Sequence, residues 1–219
     1  SPHPARPRRT TEADEQSNQA TAHPPVMRYG AMVSIAIVFL ILGAMFGAND
    51  VAAVAFATEA GHKSASGLVL AVWGVGSFAA ALVYGSRTWG WPLWKQLMAG
   101  LVALAVGTST FSMAPSLVVL SVLALMTGLA IAPTLTSGNN IVQVTVAPSQ
   151  LTEGLAWVST ALNVGVSVGS LLAGQATDAG GSRAGYLTVA GFAWAAVAAG
   201  ILGLPALRRA RTTRSLAAH

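Results

Sequence analysis

Residues 30–57 read GAMVSIAIVFLILGAMFGANDVAAVAFA, twenty-eight positions that hold one charged side chain, Asp50. A run of this length and polarity exceeds the ~20 residues that a helix needs to cross a bilayer. Five further apolar stretches follow at roughly 65–85, 96–113, 117–138, 154–176 and 185–205. The six are joined by short polar segments. With both chain ends on one side of a membrane, that side holds Arg6, Arg8, Arg9, Arg28, Arg87, Lys95, Arg208, Arg209, Arg211 and Arg214, leaving Lys63 and Arg183 on the other. The bias of basic residues toward the cytoplasm then places both termini there. The expected class is an all-α, multi-pass protein of the cell (plasma or inner) membrane.

Composition agrees. Charged residues make up 9% of the chain, and the mean hydropathy is +0.61; both lie outside the soluble globular range. The net charge of +5 is divided among two tails and one loop, a distribution that marks topology and not a nucleic-acid-binding face. The chain has no cysteine, so no disulfide and no thiolate chemistry. The apolar runs are continuous, unlike the alternating segments of a β-barrel. Residues 1–29 are rich in Pro, Arg, Thr, Glu and Gln and lack the apolar surface needed to fold, so a disordered cytoplasmic linker is expected there. Residues 30–207 form the bundle, and 208–219 a basic cytoplasmic tail.

Polar residues within the spans are costly and therefore informative. A charged group at a bilayer centre costs about 2.5–3.5 kcal/mol on insertion scales. Asp50 is the one carboxylate inside a span, with Asn49 beside it; Asn163 lies mid-span in the fifth stretch near Ser159 and Thr160; Trp73 lies mid-span in the second. The fourth holds Thr127, Thr134 and Thr136, then Asn139, Asn140 and Gln143 at its inner end. The third and sixth carry neither charge nor amide in their cores. Spans one, two, four and five are therefore expected to line a cavity, with three and six outside. Pro133 should bend the fourth span. Residues 139–153 are read as a connection, with Thr152 and Glu153 capping the fifth helix. Gly165 and Gly169, then Ser170 and Gly174, give that helix a small-residue face for close packing.

A weak internal echo links Val75, Gly76 and Ser77 to Val168, Gly169 and Ser170. Those two helices would run in opposite directions, the pattern of inverted three-helix repeats in secondary transporters. Neither an enzyme nor a cofactor is expected. His3, His23, His62 and His219 all lie in tails or a turn, and no Walker-type phosphate loop is present.

The stretch Leu151–Gly185, LTEGLAWVSTALNVGVSVGSLLAGQATDAGGSRAG, resembles the eleventh helix and following outer turn of major facilitator superfamily transporters of the drug/sugar efflux kind. Gly174, Asp178 and Gly181 carry the turn. The outer third of the first span, with its short turn, resembles the family's seventh helix, and the likeness runs over about residues 30–207. Tyr84, Gly85, Ser86 and Arg87 keep the Gly and the basic residue of the family's inner-loop pattern but lack its Asp. The resemblance implies the C-terminal six-helix half of a twelve-helix transporter, partnered by a missing N-terminal half and the lipid bilayer. It implies proton-coupled efflux of a small-molecule substrate, with Asn49, Asp50, Trp73 and Asn163 as binding or coupling residues. The alternative is a self-contained six-helix protein that dimerises or serves as an interaction partner.

Overall fold

The computed structural model describes residues 30–87 and 89–209, and among them all regular structure is helical. The proposed linker 1–29 and most of the tail lie outside these residues. Helix α1 spans Gly30–Glu59, α2 Ser66–Gly85, α3 Leu93–Phe111, α4 Leu117–Gly128, α5 Ile131–Thr145 and α6 Leu151–Arg209. Among the described residues, four helical stretches are long and apolar enough to cross a membrane: Gly30–Glu59, Lys63–Gly85, Leu117–Thr145 and Pro148–Arg208. The last is 61 residues long and would reach roughly 90 Å if straight. It reverses instead at Gly180 (φ −144°, ψ 19°) and Gly181 (φ 70°, ψ −172°). The second of these lies in the left-handed region that favours glycine. The two limbs, 151–179 and 182–209, pass on either side of α1.

Helix α1 lies between the two limbs of α6. Its residues Leu40, Gly43, Ala44 and Gly47 meet Leu162, Gly165, Val166 and Gly169 of the first limb, running in the same direction. Ser34 and Ala52 face Gly203 and Gly185 of the second limb, running in the opposite one. A Cβ on Gly43, Gly165 or Gly169 would fall into a carbonyl of the facing helix. Lipid tails are as apolar as leucine, so helices in a bilayer associate by packing, and glycine permits the closest packing. Ser170 Oγ also donates to the Gly47 carbonyl at 3.1 Å.

The same crossing occurs twice. A Cβ on Gly76 of α2 would meet the Leu125 carbonyl of α4, and one on Gly128 would meet the Trp73 carbonyl with Ser77 beside it. In the other crossing, Gly169 meets the Ala44 carbonyl, and Gly47 meets the Val166 carbonyl with Ser170 beside it. Trp73, Gly76 and Ser77 thus correspond to Val166, Gly169 and Ser170, each 93 positions on. Leu125 and Gly128 correspond to Ala44 and Gly47, each 81 positions back. The glycines of the sequence echo sit at equivalent backbone contacts.

Three sequence expectations need correction. Residues 139–145 are helical, because Ile131, Thr134, Ser137, Gly138, Ile141 and Val142 form one buried face of α5; the connection shrinks to residues 146–150. Thr152 and Glu153 then sit inside the first turn of α6 and not ahead of it. Helix α3 and the second limb do not simply stand outside: Leu97, Leu101, Leu104 and Phe111 join Tyr186, Val189, Ala193 and Ala196 in the buried core. A span without polar groups still has an inner face, and here that face packs against its neighbours. At the end of α6 the Arg208 guanidinium lies 4.4 Å from the Trp94 ring centre. The expected bend is present. Helix regularity fails at Leu129 and Ala130, where the Pro133 ring would clash with the carbonyl four residues earlier.

At the α6 reversal, the Glu59 carboxylate accepts from the Ser182 backbone N–H at 2.7 Å and from Ser182 Oγ at 2.5 Å. It satisfies an orphan donor at the start of the second limb and places negative charge at the positive end of a helix dipole. Glu59→Ala is expected to cost about 1–2 kcal/mol. It should lower the melting temperature in detergent, whereas Glu59→Gln, which keeps one acceptor, should recover part of the loss. Equal melting of Glu59→Ala and the parent would refute the cap.

Candidate functional site

The first limb of α6 carries a polar ladder on a face that the chain leaves open. Ser159, Asn163 and Ser167 recur every four residues, the spacing that stacks side chains on one side of a helix, and all three are exposed together with Thr160. Asn163 Nδ2 donates to the Ser159 carbonyl at 2.8 Å, and Ser167 Oγ to the Asn163 carbonyl at 3.3 Å. These bonds occupy donors along the helix and leave the Asn163 side-chain oxygen available as an acceptor. Beside the ladder, Trp157, Thr160, Ala161 and Val164 join Val33, Ala36, Ile37 and Leu40 of α1 around a cleft of about 290 Å³. Amide and hydroxyl groups thus border an apolar wall ending in an indole.

Asp50 lies farther along α1. It is exposed and lines a cleft of about 430 Å³ with Val51, Val54, Ala55 and Thr177. Its carboxylate has no hydrogen-bond or ion-pair partner among the described residues. Asn49, one residue earlier, points the other way and is 4% exposed. Trp73 is buried, edge-on to Phe46 with ring centres 5.5 Å apart, and its Nε1–H has no partner among the described residues. An unpaired buried N–H costs about 1–3 kcal/mol.

The four sequence candidates therefore divide. Asp50 and Asn163 stand on the open side of α1 and the first limb, while Asn49 and Trp73 face the packed interior. None of these clefts is lined by more than one of them. Sequence reading picked out Ser159, Thr160 and Asn163 but passed over Ser167 and Trp157. The i, i+4, i+8 spacing of 159, 163 and 167 was the available signal for Ser167. Nothing in the spacing alone sets Trp157 against α1, since that contact depends on how closely the two helices approach.

Chemically, the open face offers neutral hydrogen-bonding groups, one carboxylate and an apolar wall. Such a surface suits reversible binding of an amphipathic solute.

No family model matches the chain. A stretch of 113 residues is 35% identical to the MFS-type transporter ppzB of Metarhizium rileyi (strain RCEF 4871). The likeness covers 49% of this chain and 23% of that protein. The apolar helices and this likeness fit a membrane protein of the MFS type. They favour a transporter over an enzyme. The chain spans about a quarter of the length of the relative that it matches.

Proposed function

We propose that this chain is a six-helix half of a secondary transporter of the major facilitator type, in which proton movement drives efflux of a small molecule such as a drug or sugar. The observation that carries the proposal is the uncovered polar ladder Ser159, Asn163 and Ser167 within an apolar span. Groups of this kind are not left facing lipid; they face a bundle interior or a water-filled path. An N-terminal half packed against this side, with substrate between the halves, supplies both. In this reading α3 is the third crossing, α4 with α5 the fourth, and the two limbs of α6 the fifth and sixth. The matched glycine crossings, 93 and 81 positions apart, support two inverted three-helix repeats. Asp50 is the proton-linked carboxylate, and Asn163 contacts substrate. Trp73 and Asn49 serve from behind, by shaping the packing of α1 against α2. The membrane is the cell membrane with both termini cytoplasmic, as the basic residues indicate.

The absence of cysteine makes the test direct. Single variants Ser159→Cys and Ser167→Cys, treated in intact membranes with a membrane-impermeant maleimide, should both be labelled. Phe78→Cys, on an exposed apolar face of α2, should resist. If neither ladder position is labelled, the face is not water-lined and the proposal fails.

A further inference from the structure

A second pair of clefts lies at the other side of the bundle, where α2, α3 and the α4–α5 bend converge near the α2–α3 connection. One compartment is apolar and about 450 Å³, within the roughly 300–1,000 Å³ of small-ligand sites. Its walls include Ala79, Ala99, Ala103 and Pro133, small residues that leave a channel between helices. Val83 and Leu129 line it and are exposed apolar side chains, so it opens where the protein meets lipid. The adjoining compartment is about 320 Å³ and mixed in character, with Arg87, Thr136 and Asn140 among its lining. Tyr84, Trp89 and Gln96 line both.

This shared wall is rigid. Tyr84 Oη donates to Gln96 Oε1 and lies 3.0 Å from Ser137 Oγ. Gln96 Nε2 donates to the Trp91 carbonyl at 2.6 Å, and Trp89 Nε1 to the Tyr84 carbonyl at 3.1 Å. The Tyr84 and Trp89 rings stack at 5.4 Å. The network ties α2, α3, α5 and the connection together and holds the two compartments at a fixed separation. Among the described residues, no carboxylate lines either compartment. Arg87 is exposed and has no ion-pair partner among the described residues.

We infer that this paired cleft is a binding site for one anionic phospholipid, with an acyl chain in the apolar compartment and its phosphate facing Arg87, Thr136 and Asn140. Charge complementarity selects the occupant. An unpaired guanidinium beside an amide and a hydroxyl matches a phosphate, and indoles at the same level suit the membrane interface. The apolar channel gives an acyl chain a bed that a free phosphate could not use. Basic pockets between transmembrane helices hold anionic headgroups for the same physical reason. The inference does not depend on the transport reading, because it uses a different face and different residues.

The test is native mass spectrometry of the delipidated chain in detergent, titrated with phosphatidylglycerol or with phosphatidylcholine of the same acyl chains. One phosphatidylglycerol should bind about fivefold more tightly than phosphatidylcholine, the scale of one basic residue near an anionic headgroup. Arg87→Gln, an exposed substitution, should abolish that preference while phosphatidylcholine binding stays the same. Ala103→Leu, which fills the channel, should weaken both lipids. Equal binding of the two lipids by the parent chain would overturn the inference, as would an unchanged preference in Arg87→Gln. Displacement of phosphatidylglycerol by millimolar sn-glycerol 3-phosphate would assign the site to free phosphates and overturn it as well.

Discussion

Gly169→Leu lowers the melting temperature of the chain in detergent by roughly 5 °C or more, the expected result of forcing a side chain into a backbone contact. A Cβ at this position would strike the Ala44 carbonyl and Cα. Backbone cannot rotate aside as a flexible side chain can, so α1 and the first limb must separate. Overpacking a tight site costs about 1–3 kcal/mol, and separation here also loosens the Gly47 and Gly165 contacts and the Ser170 hydrogen bond. The second limb packs on the opposite side of α1 through Ser34 and Ala52, so the loss spreads to it. Gly76→Leu, at the equivalent crossing of α2 with α4, should behave alike. Gly74→Leu is the control, since nothing lies within 4 Å of its Cβ position, and leucine improves helix propensity there by nearly 1 kcal/mol. Differential scanning fluorimetry of the variants decides the matter. If Gly169→Leu melts with the parent, or Gly74→Leu falls with it, the close crossing does not hold the fold.

Asp50→Asn is the second large effect, and it rests on the proposed function. In energised everted vesicles from cells that express the native gene, with ethidium and a radiolabelled monosaccharide as probe solutes, flux driven by a pH gradient should fall about 100-fold or more for the transported probe. The reason is local. Asp50 lines an open cleft, and no cation or donor is bonded to it among the described residues, so in the proposed cycle it gains and loses a proton as access alternates. Asparagine keeps the shape and removes the titration. Downhill exchange of the same probe should survive, because the binding groups on the first limb remain. Asn163→Leu should show the complementary pattern, a raised half-saturation concentration with proton coupling retained. Unchanged gradient-driven flux in Asp50→Asn would remove this carboxylate from the coupling step.

Where sequence reading succeeded and where it stopped follows from the forces involved. The helices at Gly30–Glu59 and Ser66–Gly85 were legible within two residues at each end, since hydropathy and chain length act locally. The break at Pro133 was legible because a missing N–H and a ring clash are properties of one residue. The helical character of residues 139–145 was not, because Asn139, Asn140 and Gln143 obscure a face whose burial becomes visible only when α5 packs. Of the site, Asn163 was found from its cost in a span. Its orientation, and that of Asp50 and Asn49 one residue apart, came only from which side of α1 the two limbs of α6 cover.

By itself, then, the sequence determined an all-helical membrane chain, the places where its backbone bends, and which residues are too polar for lipid. Each of those depends on transfer free energy or covalent geometry, summed over a few neighbouring residues. The tertiary structure alone decided that α1 lies between the two limbs of α6, that the glycines at 76 and 169 serve equivalent crossings, and that Arg87 lines a cleft adjoining an apolar channel. These depend on contacts between residues far apart in the chain, as in Gly169 against Ala44 or Gly203 against Ser34. No local pattern encodes such a contact: between helices in lipid, close backbone approach sets the pairing and hydropathy is indifferent to it.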